Sequence, residues 1–200
     1  MSRTFLGVTL ALGFLVTAPA ASAAPDAEAT RLMKKRDSER YELETKHSST
    51  KAGAARVHVA APIAVVKKVV QDFRHYEDFI KKFDKAKVVG RDGDKTDVYL
   101  QVPILKGAAK VWAVVRFEPM KKVGNEYILQ GSMVKGNVKR MDATWRLKQI
   151  DEDDTQLHLE LLILPKLPVP GSLVTGEVAY AADEAVMGTR NRAEKKRKKK

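Results

Sequence analysis

The stretch that decides the fold is residues 165–186, which read PKLPVPGSLVTGEVAYAADEAV. Its first seven residues include three prolines and a glycine, and neither a helix interior nor a central strand accepts that composition. Ser172 follows and suits a helix N-cap. The next apolar residues recur at helical spacing: Val174, Val178, Ala181, Ala185 and Val186. The stretch therefore predicts a proline-rich loop followed by one long helix with a narrow stripe of small apolar side chains.

That stripe needs a partner, and residues 84–164 supply one. Their apolar residues recur with a period of two between short turns, which is typical of strands with one buried and one wet face. The buried face carries Val98, Leu100, Val102, Ile104, Val111, Ala113, Val115, Phe117, Leu129, Met141, Ala143, Trp145, Leu147, Leu157, Leu159, Leu161 and Ile163. We therefore expect an α+β fold in which a curved antiparallel sheet wraps around the long C-terminal helix.

Two short helices are predicted after the first core strand, which covers residues 54–60. Pro62 suits the start of the first helix, which should run to Gln71. Residues 71–83, QDFRHYEDFIKKF, form the junction with the second helix, where Asp72 is a candidate cap. Charged residues in this stretch are spaced for i,i+4 pairs, Glu77 with Lys81 and Asp78 with Lys82.

The N-terminus reads as an export signal. Residues 5–16 form an apolar run behind a basic start, and small residues end at Ala23. The run is shorter than the roughly 20 residues of a spanning helix, so cleavage after Ala23 is preferred to a permanent anchor. The chain contains no cysteine, which excludes disulfides and thiolate sites. We expect a periplasmic or secreted protein with a signal peptide at 1–23, a polar segment at 24–50, a domain at 51–193 and a basic tail at 194–200.

Positive charge is concentrated at the C-terminus. Residues 190–200 carry eight bases and one acid, +7 of the formal net charge of +12. Such a run attracts nucleic acid or anionic lipid, and export favours a lipid surface. The alternative is a solvated helix end that frays into a tail.

The order of these elements resembles the START-like helix-grip superfamily, also called SRPBCC, in its polyketide cyclase and coenzyme Q-binding branch. The pattern "strand, A-P, helix, D-x-x-x-Y-x-x-F" matches Ala61-Pro62 through Asp72, Tyr76 and Phe79. The strand Val57-His58-Val59 precedes it, and Leu167-Pro168-Val169-Pro170 precedes the last helix. The resemblance covers about residues 54–193.

The resemblance implies a START/Bet v1-like helix-grip fold with a hydrophobic cavity between the sheet and the C-terminal helix. Members hold lipids, quinones, sterols or polyketides there, and a minority catalyse cyclisation or hydrolysis. We therefore expect a binding protein for a lipid, quinone or polyketide-like molecule. Its predicted ligand-binding residues are Phe73, Tyr76, Phe79, Val98, Leu100, Val102, Val111, Ala113, Val115, Phe117, Leu129, Trp145, Leu159, Leu161, Val178 and Ala182.

Two other functions stay open. One is a cyclase-type or hydrolase-type enzyme that uses the same cavity, with Asp72, His75 and Tyr76 at its mouth. The other is a domain that binds a membrane or a partner through its basic tail, residues 190–200. The acidic turn at residues 151–154 lacks calcium-loop spacing. We expect a monomer with no metal, no cofactor and no nucleic-acid partner.

Overall fold

The computed structural model describes residues 26–45, 48–104, 109–166 and 171–198. Within these residues, nine strands form one antiparallel sheet in the order β1-β2-β9-β8-β7-β5-β4-β3, and β6 pairs with β7 beside that path. The strands are β1 (Glu39–Thr45), β2 (Ser48–Val59), β3 (Lys85–Asp92), β4 (Lys95–Ile104), β5 (Ala109–Phe117), β6 (Lys121–Val123), β7 (Glu126–Gly136), β8 (Arg140–Gln149) and β9 (Thr155–Leu164).

In the described part of the chain, four helices accompany the sheet: α1 (Ala27–Lys35), α2 (Ile63–Val70), α3 (Tyr76–Phe79) and α4 (Gly171–Arg197). A 3₁₀ turn, Phe73–His75, separates α2 from α3. The long C-terminal helix and the curved antiparallel sheet confirm the predicted α+β helix-grip fold. Within the described residues, no helix is both long enough and apolar enough to cross a membrane.

Three local predictions at helix ends were wrong. α4 already begins at Gly171, so Ser172 lies inside the helix and is not its cap. Asp72 caps no backbone N–H; its carboxylate binds His75 Nδ1 at 2.5 Å. Lys82 binds Glu177 rather than Asp78, because α3 is only four residues long and ends before Lys82.

The inner face of the sheet is a continuous apolar surface because antiparallel register places buried residues side by side. Leu159 lies opposite Ala55 of β2 and Trp145 of β8, and Trp145 lies opposite Leu129 of β7. All four side chains are buried. The alternation read from the sequence therefore continues from strand to strand as a single face.

α4 lies against this face and approaches it through glycine. A Cβ on Gly53 of β2 would lie 2.2 Å from the backbone nitrogen of Ala179. A Cβ on Gly188 of α4 would lie 2.1 Å from the carbonyl oxygen of Phe79. Contacts this short leave no space for a side chain, so the two glycines allow α4 to pack directly on β2 and on the end of α3.

The segment before β2 belongs to the fold and covers the outer face of the sheet. In α1, Ala29 and Leu32 are buried, and the Asp26 carboxylate accepts a hydrogen bond from Ala29 N at 2.7 Å. Glu28 of α1 forms an ion pair with Arg56, which lies on the polar side of β2. Residues 26–45 therefore contribute a helix and an edge strand to the same body.

The two glycines of α4 at positions 176 and 188 give a matched test of this packing. Gly188→Ala should destabilise the protein by about 1–3 kcal/mol, because its Cβ overlaps the Phe79 carbonyl. Gly176→Ala should be neutral or stabilise by up to about 1 kcal/mol, because no atom lies within 4 Å of its Cβ. Urea unfolding of both variants measures the difference, and equal stabilities would contradict the close approach.

Candidate ligand-binding cavity

A cavity of about 190 Å³ lies between α4 and the inner face of the sheet. Its wall comes from the first residue of α3 and the segment after that helix, from the strands β4, β5, β8 and β9 with the following Pro165, and from α4 up to Ala185. The lining residues are Tyr76, Ile80, Lys82, Phe83, Leu100, Val102, Val111, Val115, Phe117, Met141, Ala143, Trp145, Leu159, Leu161, Ile163, Pro165, Leu173, Val174, Glu177, Val178, Ala181 and Ala185.

One end of the cavity is closed by stacked aromatic rings. Phe73 stacks on Phe117 with 4.6 Å between ring centroids, and Tyr76 stacks on Phe83 at 5.8 Å. The Tyr76 hydroxyl donates a hydrogen bond to the carbonyl of Val70. Burial raises the pKa of Tyr76, so its hydroxyl is neutral and its hydrogen is held by that carbonyl.

Among the described residues, the lining includes two charged ones, Lys82 and Glu177, although apolar atoms form almost the whole cavity surface. Lys82 follows α3 and Glu177 lies on α4, and their Nζ and Oε2 atoms are 3.3 Å apart. The Lys82 Nζ also lies 4.7 Å from the ring centre of Tyr180 on α4. An ion pair therefore joins the segment after α3 to the terminal helix beside the cavity.

The architecture and the cavity agree with a sequence comparison. The sequence model of the polyketide cyclase / dehydrase and lipid transport family matches residues 59–185, from the end of β2 through most of α4. The chain belongs to this family. The match includes every element that lines the cavity, and it confirms the resemblance read from the sequence.

Solved structures of similar fold include lipid carriers and a cyclase. A STAR-related lipid transfer protein from Xanthomonas axonopodis is 17% identical, with 85% of this chain and 96% of that one covered and a TM-score of 0.67. The lipid transfer and protein localization domain of human StarD13 is 17% identical and has a TM-score of 0.61, with 82% of this chain and 93% of that domain covered. The Zhui aromatase/cyclase from a Streptomyces species is 16% identical and has a TM-score of 0.56, with 74% of this chain and 93% of that one covered.

At these identities the likeness shows the fold that family members share. No curated protein sequence matches the chain significantly.

Ten of the sixteen residues predicted from the sequence line the cavity. They are Tyr76, Leu100, Val102, Val111, Val115, Phe117, Trp145, Leu159, Leu161 and Val178. The alternation along the strands had placed most of them on the dry face, and the helix–sheet arrangement leaves open space at these positions. Their contact with a ligand stays a prediction.

The other six lie outside the lining, in or against the packed core: Phe73, Phe79, Val98, Ala113, Leu129 and Ala182. The alternation of residues along a strand shows which face of the strand is buried. It does not show at which residues the helix and the sheet lie far enough apart to leave a cavity. Phe73 stacks on Phe117, and Phe79 packs edge-on against Tyr76. Both rings therefore contact the aromatic residues of the cavity wall without lining the cavity themselves. On α4 the lining includes Val178 and Ala181, whereas Ala182 belongs to an adjacent stripe that is fully buried in the core.

The structure adds lining residues that the prediction omitted. Met141, Ala143 and Ile163 lie on the predicted buried face of the sheet. Val174, Ala181 and Ala185 lie on the predicted apolar stripe of the helix. The apolar periodicity that could have identified these six residues is therefore present in the sequence. Ile80 and Phe83 belong to the stretch 71–83, for which the sequence predicts only the junction of two short helices. No sequence pattern pointed to Lys82 or Glu177, because their meeting depends on how α4 crosses the segment after α3.

The residues proposed for an enzyme do not converge on the cavity. His75 is half exposed and binds Asp72, which also lies 3.4 Å from Lys196 and 4.0 Å from Arg192. Burial opposes ionisation of Asp72, but its contacts with His75 and with the Lys196 ammonium hold its pKa below the usual value. Asp72 therefore ties the 3₁₀ turn to the end of α4, and only Tyr76 of the three reaches the cavity wall.

Metal binding has no support in the described part of the chain. No group of three or more histidine, aspartate or glutamate side chains there is placed to hold an ion. In the acidic turn after β8, Asp151 accepts a hydrogen bond from Asp153 N at 2.9 Å, and Asp154 binds His58 at 2.6 Å. These carboxylates therefore shape the turn and join it to β2.

Proposed function

We propose that the protein binds a hydrophobic small molecule of lipid, quinone or polyketide type in the cavity between α4 and the sheet. One observation carries this proposal: the lining is apolar on every strand that contributes to it, and of its described residues only Lys82 and Glu177 are charged. Small-molecule sites of proteins are mostly apolar, with few polar groups that orient the ligand. Such a wall offers burial of apolar surface as the main source of affinity.

The cavity volume bounds what fits without a rearrangement. A volume of about 190 Å³ exceeds the roughly 150 Å³ of an engineered apolar cavity that accepts benzene. It is smaller than the roughly 300–1,000 Å³ of sites that enclose drug-sized ligands. The cavity therefore accommodates a ring or a short chain, and a larger ligand must project beyond it or displace part of the wall.

The same lining supports binding over catalysis. A cyclase or hydrolase needs polar groups that converge on one reacting atom. The Tyr76 hydroxyl already donates its hydrogen bond to the backbone carbonyl of Val70, and His75 is not part of the cavity wall. An aromatase/cyclase has a similar fold, so the fold itself is compatible with an enzyme. The residues of this chain favour a carrier or sensor of an apolar molecule.

Native mass spectrometry and solvent extraction of the purified protein test the proposal, and both should detect a bound apolar molecule. Ala181→Phe should reduce the ligand content by about fivefold or more, because the ring would occupy the cavity from the α4 side. Ala143→Leu fills the cavity from the sheet side and should act in the same direction.

Ala64→Phe is the matched control, because it places the same ring on an exposed face of α2. It should retain the full ligand content. An empty wild-type protein from every source would contradict binding, and undiminished ligand in folded Ala181→Phe protein would place the ligand elsewhere.

We also propose that the chain is exported to the periplasm or secreted. Support comes from residues 1–23, which have the order of a signal peptide and lie outside the described part of the chain. Expression of the full chain in a bacterium, followed by N-terminal sequencing, should give a mature protein that begins at Ala24. An intact N-terminus on cytoplasmic protein would contradict export.

The basic end of α4 is proposed to dock the protein on anionic lipid. Lys195, Arg197 and Lys198 are exposed at the end of the helix. Glu194 accepts hydrogen bonds from Ala60 N at 3.0 Å and from Arg190 at 3.1 Å, so the packed part of the helix reaches that residue. A truncation after Glu194 therefore removes the cations and keeps these contacts.

This truncation should weaken binding to phosphatidylcholine vesicles that contain phosphatidylglycerol by about tenfold or more at moderate salt. Each cation near an anionic surface contributes about 1 kcal/mol, and the truncation removes six. Vesicle co-sedimentation measures the loss, with pure phosphatidylcholine vesicles as the control. Unchanged binding would exclude the basic end as the membrane contact.

A further inference from the structure

The two charged lining residues differ in how far each is withdrawn from water. The Lys82 side chain keeps 20% of its surface exposed, whereas the Glu177 side chain keeps 53%. Lys82 is thus mostly enclosed beside the cavity, and its carboxylate partner is half in solvent. An ion pair this exposed on one side contributes little stability, since water solvates the released carboxylate.

An enclosed ammonium group needs an anion or hydrogen-bond acceptors nearby. Glu177 meets that need at 3.3 Å, a long contact, and the Tyr180 ring adds a cation–π contact. If Glu177 turned into solvent, Lys82 would accept another anion from the cavity side. Release of Glu177 would therefore leave the Lys82 ammonium without its carboxylate partner beside the cavity.

Other charges favour an anion at this position. The first turn of α4 contains no acidic residue, so the positive end of the helix is not neutralised locally, and its Leu173 and Val174 line the same cavity.

We infer that the cavity binds an amphiphile whose anionic head group replaces Glu177 at the Lys82 Nζ while its apolar part fills the space below. The head group is a carboxylate or a phosphate, which share the charge and the acceptor oxygens that an ammonium group binds. This inference rests on the proposed function and adds the chemical class of the ligand. The carboxylate of a fatty acid and the phosphate of a phospholipid are the two sources of such a group.

Three probes with one eight-carbon chain separate the head group from the apolar part: octanoate, octyl phosphate and 1-octanol. Isothermal titration calorimetry at neutral pH, where octanoate is ionised, should show at least one anion binding about five- to tenfold tighter than 1-octanol. In Lys82→Met, which keeps a long apolar side chain, that advantage should fall to about twofold or less. The anion that loses more affinity identifies the source.

Lys81→Met is the matched control, because Lys81 is the exposed neighbour outside the lining and carries the same charge. It should retain the anion advantage, and Glu177→Gln should increase it, because the competing carboxylate is gone. Unchanged 1-octanol affinity in Lys82→Met would show that the cavity is intact. Equal binding of all three probes by the wild type, or an anion advantage that survives in Lys82→Met, would overturn the head-group inference and leave hydrophobic binding in place. Failure to bind any probe would contradict both the inference and the proposed function.

Discussion

The direct approach of α4 to β2 at Gly53 is the constraint on which the rest of the structure depends. A side chain at that position would overlap the backbone at Ala179, so the helix axis can lie this close to the sheet only over a glycine. Gly188 repeats the arrangement against the carbonyl of Phe79. These two contacts fix α4 at two points nine residues apart on the helix, and the curvature of the sheet then determines where space remains.

The small residues of α4 have two consequences, because the helix presents two adjacent stripes. Ala179, Ala182 and Val186 are buried on the side where the helix packs most closely, and their small size permits that approach. Ala181 and Ala185 lie on the neighbouring stripe and face the cavity. Small side chains therefore bring the helix close on one side and leave open volume on the other.

Much of this architecture could be predicted because it follows from local rules. The period of two along β4, β5, β8 and β9, the prolines before α4 and the apolar stripe at helical spacing each identify an element and its buried face. The register between strands and the depth of each residue are long-range properties. For that reason Val98 and Leu100, two residues apart on one face of β4, could not be distinguished, although only Leu100 lines the cavity. The Lys82–Glu177 pair was not predictable for the same reason, since 95 residues separate its partners along the chain.

The way α4 is held also determines which part of the cavity wall is adjustable. The close backbone contacts at Gly53 and Gly188 involve α4 at Ala179 and at Gly188 itself. The first two turns of α4 precede these contacts, and their Leu173, Val174 and Glu177 line the cavity. Those turns are held by side-chain contacts such as the ion pair of Glu177 with Lys82 and a 3.3 Å hydrogen bond from Thr175 Oγ1 to the Lys51 carbonyl. An ion pair with an exposed carboxylate, such as Lys82 with Glu177, exchanges with water at little cost. The buried Thr175 contact and the helix backbone packed on glycine resist displacement, because moving either would open a void. The start of α4 is therefore held less firmly at Glu177 than at the positions where the helix packs on β2 and on Phe79.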